Sequence, residues 1–187
     1  MKQVARWVSI LAHPFVMVAL LVAVPAMRQS SGKTVQSLLV AAIAVVVPMA
    51  VLMFLQVHRG RWSNVDASKP SERPVLFLVA VVGLVGALAW LLVNDPQSFL
   101  VRGMLVVAAF LLLAAFLTRW VKLSLHVAFA ALAATALSLL GSPIGYALIA
   151  VVPLVFWSRL VLGRHRVPEL LIGLVLGILT GIVLVRV

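Results

Sequence analysis

The sequence predicts an all-α fold, a polytopic bundle of about six or seven transmembrane helices that forms one membrane domain over residues 1–187. Of the 187 residues, 65% are hydrophobic and 10% are charged, and the mean hydropathy is +1.24. Several apolar runs approach or exceed the length of about 18 residues that indicates a membrane-spanning helix. The first run lacks a small-residue cleavage site at its end, so we expect it to be retained as a span.

Seven apolar segments define the candidate spans, and turn-forming residues separate them. The segments 30–32, 94–96 and 141–143 combine Ser, Gly, Asn, Asp and Pro, the residue types that end and begin helices. The fifth and sixth spans are short for a bilayer, so tilt or extension by neighbouring polar residues is expected. In order, the predicted spans are 7–27, 35–57, 75–94, 99–117, 125–140, 144–157 and 168–185.

Most of the polar residues are predicted to lie on one side of the membrane. If the chain crosses at every span, the N-terminus and the loops 58–74, 118–124 and 158–167 share that side. It then holds most of the 15 Lys and Arg residues, which by the positive-inside rule predicts a cytoplasmic face. Its basic residues are Lys2, Arg6, Arg59, Arg61, Lys69, Arg73, Arg119, Lys122, Arg159, Arg164 and Arg166, against Arg28, Lys33, Arg102 and Arg186 on the other side.

The charge and the tryptophans indicate a lipid environment for this face. The net charge of +11 is dispersed among loops that flank spans, which favours anionic lipid headgroups over nucleic acid as the partner. The chain has no cysteine, which excludes disulfides and thiolate metal sites. Trp7, Trp62, Trp120 and Trp157 stand at span ends on this side, where tryptophan typically marks the headgroup level.

Three motifs lie in the loops of this face, within residues 66–169. The last combines a serine, an arginine, a histidine and a carboxylate at the end of an apolar segment, where such residues are costly unless they serve a function. In chain order the motifs are Lys69-Pro70-Ser71-Glu72-Arg73-Pro74, Lys122-Leu123-Ser124-Leu125-His126 and Ser158-Arg159-x5-His165-x3-Glu169.

Taken in order, these motifs resemble the three signatures of the type 2 phosphatidic acid phosphatase superfamily, in a divergent prokaryotic branch. The third signature, Ser-Arg-x5-His-x3-Asp, matches with Glu169 in place of its aspartate. From the second, Pro-Ser-Gly-His, only the serine and the histidine are kept. The first, Lys-x6-Arg-Pro, keeps Arg73 and Pro74, but Lys69 stands three residues too close and Asp66 occupies the position of the lysine. The resemblance implies a prokaryotic inner membrane.

The resemblance also assigns roles to the motif residues. Metal-free hydrolysis of a phosphate ester requires a nucleophile, an acid for the leaving oxygen and fixed positive charge. His165 is the implied nucleophile and forms a phosphohistidine, with Glu169 accepting a hydrogen bond from its other ring nitrogen. Pro168 is expected to start the last helix, which places Glu169 in its first turn. His126 is the implied acid. The residues implied to bind phosphate are Arg73, Arg159 and Ser124. Lys69, displaced from its place in the signature, is a further candidate, and Lys122 is expected to compensate for that displacement.

The implied activity is hydrolysis of a lipid phosphomonoester or diphosphate within the membrane, without metal or cofactor. Phosphatidate-like and polyprenyl phosphate substrates both stay open, since they present the same headgroup. One alternative is a lipid phosphotransferase, which passes the phosphoryl group to an acceptor other than water. The other is a non-catalytic lipid-binding or transport protein, which the retained histidines and arginines of the motifs disfavour.

The sequence allows two interpretations for some residues. Ser124 either donates its hydroxyl to phosphate or caps the helix that begins beside it. His13 either lines a substrate path or satisfies the carbonyl that Pro14 frees in the first span. Gly173 and Gly177, spaced Gly-x3-Gly, permit close packing against a neighbouring helix or a second copy, which leaves a homodimer open.

Overall fold

The computed structural model describes residues 1–28, 32–62 and 70–186, and confirms the predicted all-α class. The described residues form eight α-helices and one short 3₁₀ turn, without a strand among them. The turn is Pro70–Glu72. The helices are α1 (Lys2–Leu11), α2 (Pro14–Arg28), α3 (Gly32–His58), α4 (Arg73–Asn94), α5 (Phe99–Leu117), α6 (Leu125–Leu139), α7 (Pro143–Val161) and α8 (Val167–Arg186).

The predicted number of spans agrees with the helices. Six are long and apolar enough to cross a membrane when α1 and α2 are taken as one segment of 27 residues, Lys2–Arg28, and α6 is a shorter apolar helix. The first predicted span differs in two respects, because its helix already begins at Lys2 and is interrupted at His13. The interruption has a local cause, since Pro14 has no N–H to continue the hydrogen bonds of α1 and is well suited to start a new helix.

The chain forms two compact units. Met1–Arg28 and Trp120–Val187 make up one, which we call the terminal unit, and Gln29–Arg119 makes up the other, the central unit. In the central unit α4 packs against both α3 and α5. At Gly83 the backbones of α3 and α4 approach so closely that a Cβ would lie 2.5 Å from the carbonyl oxygen of Ala44. The buried Ser37 hydroxyl donates to Asp95 at 3.1 Å.

Helix α6 is the buried centre of the terminal unit, where α2, α7 and α8 pack around it. Every residue from 126 to 134 is buried, and many of them are alanines, which let neighbouring backbones approach. Helix α8 presents glycine to this surface, and a Cβ at Gly177 would lie 2.2 Å from the Ala128 carbonyl oxygen. A Cβ at Gly173 would lie 2.7 Å from the Ser124 carbonyl oxygen. The Gly-x3-Gly motif of α8 therefore packs against α6 of the same chain.

The contacts also give the helix directions in the terminal unit. The His13 ring lies beside the His126 ring, and the Arg28 guanidinium donates to the Leu140 carbonyl at 2.7 Å, so α2 and α6 run in parallel. Helices α6 and α8 start together, because the Ser124 N–H donates to the Glu169 carbonyl at 3.2 Å. The starts of α2, α6 and α8 and the end of α7 thus meet at one end, which we call the polar end.

Candidate functional site

The loop that carries His165 is fixed at the polar end by the way α7 terminates. Gly163 adopts a φ of +63°, a left-handed conformation that favours glycine. Its N–H donates to the Leu160 carbonyl at 2.9 Å, and the Arg164 N–H reaches back to the Arg159 carbonyl at 3.0 Å. This pair of bonds is the Schellman arrangement of a helix C-terminus. It turns the chain sharply, so that α8 begins only a few residues later.

His165 is held through one of its two ring nitrogens. Nδ1 lies 2.9 Å from a carboxylate oxygen of Glu169 and 3.0 Å from the carbonyl oxygen of Lys122. Both oxygens are acceptors, so Nδ1 must carry the ring proton. In a neutral imidazole the lone pair then resides on Nε2. With a side chain only 3% exposed, His165 is a fixed ring whose Nε2 has a defined direction.

Glu169 lies in the first turn of α8, as the sequence predicts, and makes three contacts there. The carboxylate oxygen that contacts His165 also accepts the Arg166 backbone N–H at 3.2 Å, which is the return bond of a capping box. Its own backbone carbonyl accepts the N–H of Ser124. The helix start is therefore what aims the carboxylate at His165. A negative charge at this position is also favoured by the helix dipole.

Lys122 contacts the His165 loop twice. Its carbonyl accepts from His165 Nδ1, and its ammonium group donates to the Arg164 carbonyl at 2.9 Å. The half-buried Lys122 side chain thus ties the segment before α6 to the loop before α8. The sequence predicts Lys122 as a phosphate ligand; the structure adds a positioning role for the loop.

Ser124 and His126 open α6 beside this loop. Ser124 occupies the N-cap position, but its side chain makes no capping hydrogen bond. The residue is fully buried, and its hydroxyl oxygen has no hydrogen-bond partner among the described residues. The capping interpretation of Ser124 is therefore wrong, and its role in phosphate binding stays a prediction. His126 follows in the first turn and is 5% exposed.

Arg159 lies in the last turn of α7 and is 1% exposed. One of its terminal nitrogens donates to the hydroxyl of Ser9 at 2.7 Å. Ser9 is not among the residues predicted from the sequence, since a single serine in the first apolar segment is not distinctive and no local pattern connects α1 to α7. The structure places His13, for which the sequence allows two interpretations, beside His126. Its Nδ1 accepts the N–H of Phe15 at 3.3 Å, and its ring centroid lies 5.2 Å from that of His126.

The described residues of the first motif belong to the central unit. Arg73 is the first residue of α4 in the central unit, where it is 4% exposed, and Glu72 before it is also buried. Lys69 and Asp66 lie outside the residues that the structure describes. The phosphate-binding roles of Arg73 and Lys69 stay predictions.

The tryptophans agree only in part with the expected interfacial belt. Trp7 and Trp120 are 64% and 67% exposed in the terminal unit, as expected of side chains at the headgroup level. Trp62 is 7% exposed in the central unit, so its inclusion in a lipid-facing belt is wrong. A tryptophan at a span end packs equally well inside a protein, and sequence position does not distinguish the two.

Comparison of this chain with protein-family models, with curated proteins and with solved structures finds no match. Membership in the type 2 phosphatidic acid phosphatase superfamily therefore stays a prediction from the motifs. Independently of it, the polar end joins an oriented histidine, a carboxylate, a second histidine, a buried guanidinium and a buried hydroxyl. Such a set can attack, protonate and neutralise an anionic ester.

Proposed function

We propose that this protein is a membrane-embedded lipid phosphatase that removes a phosphate group from a lipid phosphomonoester or diphosphate through a phosphohistidine on His165. The observation that carries the proposal is the placement of His165 Nδ1 between the Glu169 carboxylate and the Lys122 carbonyl. An imidazole fixed in this way presents its Nε2 lone pair as a nucleophile.

In the first step, the Nε2 lone pair of His165 attacks phosphorus and the P–O bond to the lipid breaks. The bonding electron pair leaves with the lipid oxygen, and His126 supplies the proton that converts the alkoxide to an alcohol. Glu169 stabilises the positive charge that develops on the His165 ring as the P–N bond forms. Arg159 is the guanidinium of the terminal unit that is proposed to neutralise the phosphoryl oxygens.

In the second step, water attacks the phosphohistidine. His126, now neutral, accepts a proton from the water, and the P–N bond breaks with its electron pair returning to Nε2. Inorganic phosphate and the original protonation states result. The same groups serve both half-reactions, and phosphorus keeps its oxidation state throughout.

Two further features support the proposal. The buried Ser124 hydroxyl without a partner is unfavourable in an apolar unit unless a ligand meets it, because an unsatisfied buried group costs about 1–3 kcal/mol. The cluster also lies at the end of a bundle of apolar helices. A lipid could present its headgroup there while its tails stay in hydrocarbon.

The proposal is tested by phosphate release from purified protein in detergent or vesicles. The panel contains phosphatidate, lysophosphatidate, phosphatidylglycerophosphate and polyprenyl phosphates, assayed with chelator, next to the His165→Ala variant. We expect release that survives the chelator and is lost in the variant, with the panel ranking the lipids. Release that continues in His165→Ala, or no release from any lipid by the wild type, would contradict the proposal. Adding short alcohols as acceptors separates hydrolysis from transfer.

A further inference from the structure

The N-terminal segment of the chain contacts the candidate site at two points that lie one helical turn apart. Ser9 is in the last turn of α1, and His13 is the residue between α1 and α2. Ser9 contacts Arg159, and His13 contacts His126. The two partners, Arg159 and His126, lie more than 100 residues later in the sequence. We propose that α1 and the start of α2 act as a positioning element, in which Ser9 orients the Arg159 guanidinium and His13 orients the His126 ring.

The Ser9 contact is suited to orienting a guanidinium without cancelling its charge. Ser9 is 5% exposed and Arg159 is 1% exposed, so neither group is screened by water. The serine hydroxyl accepts one N–H of Arg159 at 2.7 Å and adds no negative charge. A carboxylate in its place would hold the side chain equally well but would compete with phosphate for it. A neutral acceptor such as Ser9 therefore orients the guanidinium without itself offsetting the positive charge.

The His13 contact is tied to the way α2 begins. His13 precedes Pro14, and its Nδ1 accepts the Phe15 N–H at 3.3 Å, as an N-cap side chain does. This bond uses the Nδ1 lone pair, so it favours the neutral ring with a proton on Nε2. The rings of His13 and His126 meet edge to face, with an interplanar angle of 86°. A neutral ring packed there restrains His126 without repelling the proton that an acid must carry.

The inference rests on the proposed function and makes separate predictions for the two residues. A residue that positions the guanidinium should influence phosphate affinity, whereas one that positions the acid should influence protonation of the leaving oxygen. These effects are separable, since a good leaving group needs no proton. Orthovanadate serves as the probe of the phosphate site. An aryl phosphate with a nitrophenolate leaving group, compared with a lipid phosphate, serves as the probe of the acid.

For Ser9, the variants are Ser9→Ala and Ser9→Thr, where threonine keeps the hydroxyl. We expect Ser9→Ala to weaken orthovanadate inhibition and lower kcat/KM by about 10-fold, the scale of one hydrogen bond to a charged group, and Ser9→Thr to recover most of both. Ser37→Ala is the control, because it removes a buried serine hydrogen bond in the central unit. Unchanged inhibition in Ser9→Ala, or an equal loss in Ser9→Thr, would overturn the inference. Orthovanadate protection against thermal unfolding provides the same comparison without turnover.

For His13, the variant is His13→Asn, since asparagine can still cap α2 but removes the ring. We expect a loss of about 10-fold or more with the lipid phosphate and a clearly smaller loss with the aryl phosphate. Equal losses on both substrates would show that His13 only maintains the fold. Wild-type activity in both Ser9→Ala and His13→Asn would overturn the inference and leave the proposed function standing. An inactive wild type would instead overturn the proposed function.

Discussion

The position of the ring proton on His165 determines which of its nitrogens can act as a nucleophile. Nδ1 of the histidine carries the proton because a carboxylate oxygen and the Lys122 carbonyl oxygen both face it. The negative charge of Glu169 also stabilises any positive charge that the ring acquires. Orientation and charge therefore make separate contributions, and substitution of Glu169 can separate them.

Glu169→Gln keeps the length of the side chain and a carbonyl oxygen that can accept from His165, but removes the charge. We expect kcat for phosphate release to fall about 10- to 100-fold, since hydrogen bonds to charged groups contribute roughly 1.5–3 kcal/mol. The thermal midpoint should change little by comparison. Arg166→Gln alters an exposed neighbour in the same loop and is the control. Full turnover in Glu169→Gln would mean that the carboxylate has no part in catalysis.

Ser124→Ala tests whether the unpartnered hydroxyl meets the ligand. We expect lower turnover and weaker orthovanadate inhibition, but unchanged or slightly higher thermal stability, because the substitution removes a buried hydroxyl that lacks a partner. Opposite signs for activity and stability are the distinctive result. Ser138→Ala is matched to it, since the Ser138 hydroxyl is also buried and without a hydrogen-bond partner among the described residues but lies near the end of α6, away from the polar end. If both variants behave alike, Ser124 has no ligand role.

At the scale of the element, the contact between α6 and α8 places the site. The Ser124 N–H donates to the Glu169 carbonyl, and three glycines of α8, Gly173, Gly177 and Gly181, bring its backbone onto α6. This close contact fixes how the two helices pack along each other in the structure. The starts of α6 and α8, which carry His126 and Glu169, are held at one level as a result.

Gly177→Ala places a Cβ 2.2 Å from the Ala128 carbonyl oxygen, so α8 must move away from α6. We expect a loss of about 1–3 kcal/mol in the free energy of unfolding, the usual range for overpacking, together with reduced turnover as Glu169 shifts. Gly86→Ala is the control, because its Cβ would meet nothing within 4 Å. Unfolding in a titration with denaturing detergent measures the stability of both variants. Equal stability of the two variants would contradict this account of the contact between α6 and α8.

The sequence predicts the helices better than it predicts their contacts, and the reason is physical. Apolar runs and turn residues are local, so the helices and the approach of Glu169 to His165, four residues apart across one helix start, can be inferred from spacing. The contact of Ser9 with Arg159 joins the two ends of the chain. It depends on how α1 packs against α7, and no local pattern in the sequence predicts that packing.

At the level of the whole molecule, each of the two units consists mainly of apolar helices, and the basic residues of the terminal unit are divided unequally between its two ends. Lys122, Arg159, Arg164 and Arg166 belong to the polar end, whereas Arg28 and Arg186 lie at the opposite end of the same unit. The positive-inside rule then predicts that the polar end faces the cytoplasm. Substrate would reach the site from the inner leaflet.

Sidedness can be measured cleanly because the chain has no cysteine of its own. Arg166→Cys introduces a thiol at an exposed position of the polar end, and Leu140→Cys introduces one at an exposed position of the opposite end. With an impermeant thiol reagent on intact cells, we expect labelling of Leu140→Cys at once and of Arg166→Cys only after permeabilisation. The reverse pattern would place the site on the outer face.

Trapping of the intermediate shows whether His165 becomes phosphorylated during turnover. Purified protein is mixed with a lipid phosphate that turns over and quenched in alkali, because the P–N bond of a phosphohistidine is labile in acid. Mass spectrometry then locates the phosphate, with His165→Ala as the control. We expect phosphate on His165 in the wild type and none on the variant. Turnover without any phosphorylated protein, or with phosphate on another residue, would contradict this expectation.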